Sequence, residues 1–342
     1  MTHRVTVLGG GHGVASVLSA LRTERHQVTA VVTVADDGGS SGMLRRRTGG
    51  AAVGDVRRAL IALSGDENPT AASLAQKVEI DSLGWHPVGN IVLSALTQTL
   101  GDLQAASDWL ADRLRAPGRI VPATTEPMSL TAEAQGTLIV GEAAIGAAGA
   151  RIARLGFCPA RPQVSPSALA AIADADSILV GPGSLYTSIL AVCALPALAA
   201  ALADSPAQVI WICNLSPEPG ETPELTAADH LAALRRHGVR VDAVLQDPEA
   251  KLHLTPGEIA DNVLSEVARP LRGGEPDVHD VGLLRLALRD AMRGSASRRP
   301  LPSVAHVMDA PDWVAAGSAL PEPAVSVRKR TRRRRRMVVA GG

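Results

Sequence analysis

Twice in this sequence a short apolar run stops at a cluster of glycines and passes at once into apolar residues at helical spacing. VTVL at 5–8 meets GGGHG at 9–13, after which Val14, Val17, Leu18 and Leu21 recur three and four residues apart. SILV at 177–180 meets GPG at 181–183 and then an Ala/Leu-rich stretch, 185–203, that Pro196 interrupts. A strand that turns directly into a helix limits the paths open to the chain. The helix must carry it back along the sheet, so the next β-rich run, 28–34, lies parallel to the first through a right-handed crossover. Residues 208–213 form another buried strand, 226–237 a helix with Thr226 as its N-cap, and 241–245 a further strand. The alternation predicts an α/β fold: a Rossmann-like, doubly wound, mainly parallel sheet with helices on both faces.

Between these units, helical patterns cover 55–63, 90–100 and 102–115, with short strand signals at 119–121 and 137–140. They are read as part of one α/β domain spanning residues 1–310. Of the 342 residues 46% are hydrophobic but only 2% aromatic, so the core is aliphatic. No apolar run reaches the length of about 18 residues that a span requires, and the start resembles no signal peptide. The expected location is the cytoplasm. Cys158, Cys193 and Cys213 lie far apart, with no metal-like spacing, and read as reduced buried thiols.

The formal net charge of zero hides an uneven distribution, because RKRTRRRRR at 328–336 leaves the rest of the chain acidic. Residues 311–342, rich in Pro, Ala and Arg, read as a flexible basic tail, which in one reading touches an anionic membrane or nucleic acid and in another is merely solvated.

Glycine at a strand-to-helix turn lets the backbone bend and aim free N–H groups at an anion. Gly10, Gly11, His12 and Gly13 are therefore candidate phosphate contacts, although neither GxGxxG nor GxxxxGK[ST] is present. Gly181, Gly183 and Ser184 form the corresponding second candidate, with Thr187 and Ser188 offering further hydroxyls. The loop ADDGGSSGMLR comes directly after the second strand and opens at the same sheet edge. In it Asp36 and Asp37 can meet sugar hydroxyls or hydrated Mg2+, Gly38, Gly39, Ser40 and Ser41 can wrap phosphate oxygens, and Arg45 can supply counter-charge. Asp55 and Asn90 begin helices, so each is either a cap or a ligand contact. Asn214, just past the strand at 208–213, is either a loop cap or a contact at the same edge. Tyr186 either stacks on a base or packs. His12, His230 and His237 show no metal-ligand pairing along a helix.

The segments VTVLGGGHG, TVADDGGSSGMLR, GDVRRALIALS, GNIVLSALT, ILVGPGSLYTS and ICNLSPEPGET resemble the YvcK family of gluconeogenesis factors, within the wider CofD-like superfamily. The resemblance runs from residue 5 to about 238. It implies a cytoplasmic regulatory protein that binds a nucleotide sugar, UDP-N-acetylglucosamine or a close relative, and supports cell shape and wall synthesis during gluconeogenic growth, through a protein partner. It places ligand contacts at residues 10–13, 36–41, 45, 90 and 181–184. The alternative it implies is a Mg2+-dependent transferase of a phospho- or nucleotidyl group, with Asp37 and Asp55 holding the metal. The resemblance fixes no cofactor, and Mg2+ is the candidate. An Ala-rich helix face would allow a homodimer. His12 and Arg57-Arg58-Ala59 depart from the family's usual threonine and Arg-Asn-Cys.

Overall fold

The computed structural model describes residues 2–65, 67–81, 84–124, 126–275 and 277–293. The basic tail lies outside them. The first strand, β1 (His3–Gly9), passes through the glycine cluster into helix α1 (Gly11–Leu21) and returns as β2 (His26–Val32). β1 and β2 pair in parallel from His3 against His26 to Gly9 against Val32. Ser177–Val180 pairs in parallel with the other side of β1.

Seven parallel strands make the central sheet, in the order 265–268, 243–246, 208–212, 177–180, β1, β2, 118–122. Strand order therefore reverses at β1, which has β2 on one side and a strand about 170 residues later on the other. In such a sheet the two connections leave the carboxyl edge in opposite directions and open a crevice between them. The Rossmann-like reading holds.

Alternate side chains of β1 point to opposite layers. Leu8 enters a core with Tyr186, Leu198 and Trp211 on one face. Val5 and Val7 enter another with Leu18, Leu60 and Leu284 on the other face. The inner strands are buried on both sides, which is why they read as continuous apolar runs.

Several elements were not evident from sequence. Residues 39–48 form helix α2 (Gly39–Thr48), although the loop reading left Ser40 and Ser41 free to wrap a ligand. Gly and Ser are weak helix formers, but three arginines in the last turn and Gly49 at φ 70 supply favourable C-terminal charge and a left-handed cap. Helix α3 (Gly54–Ser64) starts one residue before Asp55, with Val53 at its N-cap, so Asp55 does not cap it. Thr137–Val140, read as a strand from sequence, joins Ser129–Ala134 and Ile152–Cys158, which were not, in a separate antiparallel sheet beside the main one. Its hairpin turns at Gln135-Gly136, both at positive φ. Thr226 caps the helix Ala227–Arg236 through a capping box with Asp229, as its position suggested. Cys193 and Cys213 are buried and Cys158 is half-buried, all three as free thiols. No single helix among the described residues is long and apolar enough to cross a membrane.

Candidate functional site

The crevice at the carboxyl edge, between α1 and the second glycine turn, has a volume of about 270 Å³. Its lining combines the first turn (Gly10, Gly11, His12 and Gly13), Gly183 and Ser184 of the second, and Asp36 and Asp55. The two turns are in direct contact. A Cβ built on Gly13 would lie 1.8 Å from the Pro182 carbonyl oxygen, so only glycine admits this approach.

Gly10 stands at the N-cap of α1 with no side-chain cap, which leaves the helix start open toward the crevice. One amide of that helix start is taken: the Gly11 N–H donates to the Asp55 carboxylate. Burial pushes the Asp55 carboxyl upward despite this bond and despite its ion pair with Arg58. His12 is pushed down by burial and by the nearby Arg58 guanidinium.

The acidic loop is divided between roles. Asp36 lines the crevice and accepts from the Gly38 N–H at 2.9 Å, a local turn that orients its carboxylate. Asp37 turns away: its oxygens accept from the Glu142 N–H at 3.1 Å and the Ala143 N–H at 2.9 Å, capping the short helix Glu142–Gly146. Asp37 and Asp55 therefore do not share one position in the crevice. Gly38, Gly39, Ser40 and Ser41 do not line it either. Ser40 sits in a buried polar group, its hydroxyl 2.7 Å from His86 Nδ1 and accepting from Asn90 Nδ2 at 3.0 Å. Asn90 is thus neither a cap nor a crevice residue, and Pro87 holds the N-cap of its helix. The Arg45 guanidinium donates to the Ala35 carbonyl and to Ser129 Oγ, fixing the loop from behind. Arg58, one turn along α3, is the arginine that reaches the crevice.

The second turn is held by the loop after the strand Gln208–Ile212. Asn214 accepts from the Gly183 N–H at 2.9 Å and donates to the Gly183 carbonyl at 2.8 Å, bracketing that residue. Gly181 lies behind the turn, its N–H donating to the Leu8 carbonyl. Glu218 Oε2 accepts from Ser184 Oγ at 2.6 Å. Glu221, 2% exposed, accepts from the Tyr186 N–H at 2.8 Å and the Thr187 N–H at 3.0 Å. These amides begin a π-helix, Leu185–Leu190, a rare geometry that recurs at functional sites. Tyr186 is buried and donates to the Ile152 carbonyl at 3.1 Å, so it packs. His230 and His237 are occupied by helix carbonyls.

Thr33, Glu142 and Glu218 complete the lining without having been singled out, joined by Arg58, noted only as a departure from the family pattern, and by Thr187 and Ser188, whose hydroxyls the second turn offered. Thr33 and Glu218 come after strands of the main sheet, so their place at the carboxyl edge could have marked them. Glu142 could not have been found in this way, because the antiparallel sheet alone brings it in. Burial, with Asp36 and Asp37 nearby, pushes the Glu142 carboxyl up to about 7. Burial and the neighbouring Glu218 push Glu221 up to about 7 as well.

Asp36, Asp55, Glu142 and Glu218 offer hard oxygen donors suited to Mg2+. No three Asp, Glu, His or Cys side chains among the described residues converge as a metal site. A magnesium ion here would need ligand phosphates and water to complete its shell.

A crevice of this make-up at the switch point of a parallel sheet has known counterparts. Residues 5–271 match the family of the 2-phospho-L-lactate transferase CofD. The chain belongs to the CofD family. Within it, this CofD-family protein is similar to the gluconeogenesis factors, the YvcK group. It is 36% identical over 286 residues to the Bacillus subtilis gluconeogenesis factor, covering 82% of this chain and 88% of that one. It is 36% identical over 312 residues to a putative gluconeogenesis factor of Mycobacterium tuberculosis, covering 84% and 90%. It is 41% identical to putative gluconeogenesis factors of Nostoc sp. and Deinococcus radiodurans, but spans about half of their length, 51% in each case. Among solved structures, a Bacillus halodurans member of the upf0052 family superposes with a TM-score of 0.80 at 31% identity, over 84% of this chain and 99% of that one.

Proposed function

We propose that this protein is a regulatory binder of a nucleotide sugar, UDP-N-acetylglucosamine in the first instance, and that the bound state is read by a protein partner to support cell shape and wall synthesis during gluconeogenic growth. The observation that carries the reading is the contact between two strand-to-helix glycine turns. It creates one crevice with an open helix N-terminus, an arginine and hydroxyl-matching side chains together. Membership of the CofD family and similarity to the gluconeogenesis factors support it. The test is calorimetric titration with UDP-N-acetylglucosamine, with and without Mg2+, and then chromatography of the recovered ligand. Saturable binding with the ligand returned intact is expected, and no binding under either condition overturns the ligand.

The four carboxylates of the crevice favour a second reading, transfer of a phospho- or nucleotidyl group. Mg2+ bound with the phosphates would neutralise charge while Asp36 and Glu218 orient the partners. Consumption of a nucleotide donor only in the presence of acceptor and Mg2+ would select this reading over the first.

A further inference from the structure

The two glycine turns look alike in sequence, but their backbone donors are used differently. In the second turn, the Gly183 N–H is spent on Asn214 and the N–H groups of Tyr186 and Thr187 on Glu221. The helix that starts there is a six-residue π-helix. A buried carboxylate already occupies the position an anion would take at its start, and Glu218 adds a second negative charge facing the crevice. A phosphate placed there would meet acceptors and like charge. At the first turn a carboxylate, Asp55, likewise holds the Gly11 N–H, but it is paired with Arg58; the eleven-residue helix α1 points its dipole at the crevice, and Arg58 and His12 stand beside it.

What the second turn does offer is suited to hydroxyl groups. Glu218 accepts from Ser184 with one oxygen, which leaves the other for a ligand donor. Ser188 is only 9% exposed, lines the crevice, and its hydroxyl, with no hydrogen-bond partner among the described residues, lies toward Gly11, 3.4 Å from a Cβ built there. A hydroxyl without a protein partner and a carboxylate oxygen with free lone pairs, lining one crevice, suit groups that both donate and accept, as alcohols do. Thr187 is held in place through its contact with Glu221.

We infer that the second turn is a hydroxyl-reading subsite, in which Glu218, and Ser188 at the border with the first turn, bind hydroxyls of the sugar end of the ligand while the first turn takes its phosphates. This rests on the nucleotide-sugar reading of the crevice and adds the direction in which the ligand lies. Glu221 and Asn214 act as positioning residues for that subsite.

The test compares UDP with UDP-N-acetylglucosamine on the full chain and on Glu218→Gln and Ser188→Ala. In Glu218→Gln the side chain can still accept from Ser184, and Ser188→Ala removes an unpartnered hydroxyl, so one of the two leaves the fold intact if the other does not. The unsubstituted protein is expected to bind the sugar nucleotide more tightly than UDP. Glu218→Gln should lower affinity for UDP-N-acetylglucosamine about tenfold or more, as the loss of a charge-assisted hydrogen bond does, while affinity for UDP stays level or rises. Ser188→Ala should act in the same direction more weakly. Equal losses for both ligands would place these residues on the nucleoside or phosphates and overturn the assignment while leaving the binding function standing. Failure of the unsubstituted protein to bind either ligand would overturn the function and the subsite together.

Discussion

Glu142 shows how a residue's chemistry here depends on its surroundings. It comes after Gly141 at the end of a hairpin, and its amide is held by Asp37 while its carboxyl lines the crevice. Burial and three neighbouring aspartates hold its proton on up to about pH 7, well above the ordinary value of 4.5. A raised folded value means that the folded chain binds the proton more tightly than the unfolded one. The contribution to stability is fully present below about pH 4.5 and is lost as pH rises toward and through 7. Buried histidines such as His279, held down to about 4, titrate in the opposite sense over part of this range, so the total curve does not isolate Glu142. The difference between proteins does. Glu142→Gln should gain stability relative to the parent between pH 5 and pH 8, measured by urea denaturation at each pH. A difference that stays level across this range would show that Glu142 is not held protonated.

Elements rather than single residues decide how firmly the site is held. The glycine turn at 181–183 depends on the loop carrying Asn214, Glu218 and Glu221, and that loop is packed in turn on the helix Glu142–Gly146. A Cβ at Gly220 would lie 2.1 Å from the Gly146 carbonyl oxygen, and the Gly149 N–H donates to the Gly220 carbonyl at 2.9 Å. The same short helix is capped by Asp37 from the acidic loop. Contacts therefore run from one side of the crevice to the other through the antiparallel insertion. Asn214→Ala would orphan the Gly183 N–H and C=O together, and should cost about 1–3 kcal/mol of stability with weaker ligand binding. Thermal denaturation and titration with UDP-N-acetylglucosamine measure the two effects, and an unchanged protein would remove Asn214 from the support of the turn.

Across the molecule as a whole, the last helix of the described residues, Val281–Arg293, completes a core layer, although the family match ends at residue 271. It buries Leu284, Ala287, Leu288, Ala291 and Met292 in the core layer that contains Leu18 of α1. Arg289 pairs with Glu24, just before β2, in a two-pronged contact of 2.7 and 3.0 Å. A chain ended at Asp280 would expose this face of α1. Removing a single large buried aliphatic side chain typically costs about 2–5 kcal/mol, and two buried leucines, Leu284 and Leu288, are lost here together with Met292. The truncated chain is expected to unfold at much lower urea concentration or to aggregate, and retention of the full midpoint would show that the core layer is complete without the helix.

Local sequence was enough to specify the parallel sheet, its two glycine turns and their common edge. Those features come from short-range rules: apolar runs of strand length, glycine where the backbone must turn, and helical spacing immediately afterwards. Thr226 was legible as a cap for the same reason. Sequence also suggested Asp36 at the crevice, but offered no means of separating it from Asp37. Packing in three dimensions settled which carboxylate faces the opening, that Arg58 rather than Arg45 reaches it, that Ser40 and Asn90 are turned inward, and that Glu142 arrives from another sheet. The physical reason is competition for partners. Each of these polar groups had several possible hydrogen-bond partners along the chain, and only the packed fold brings one of them close enough to bond and buries the pair away from water.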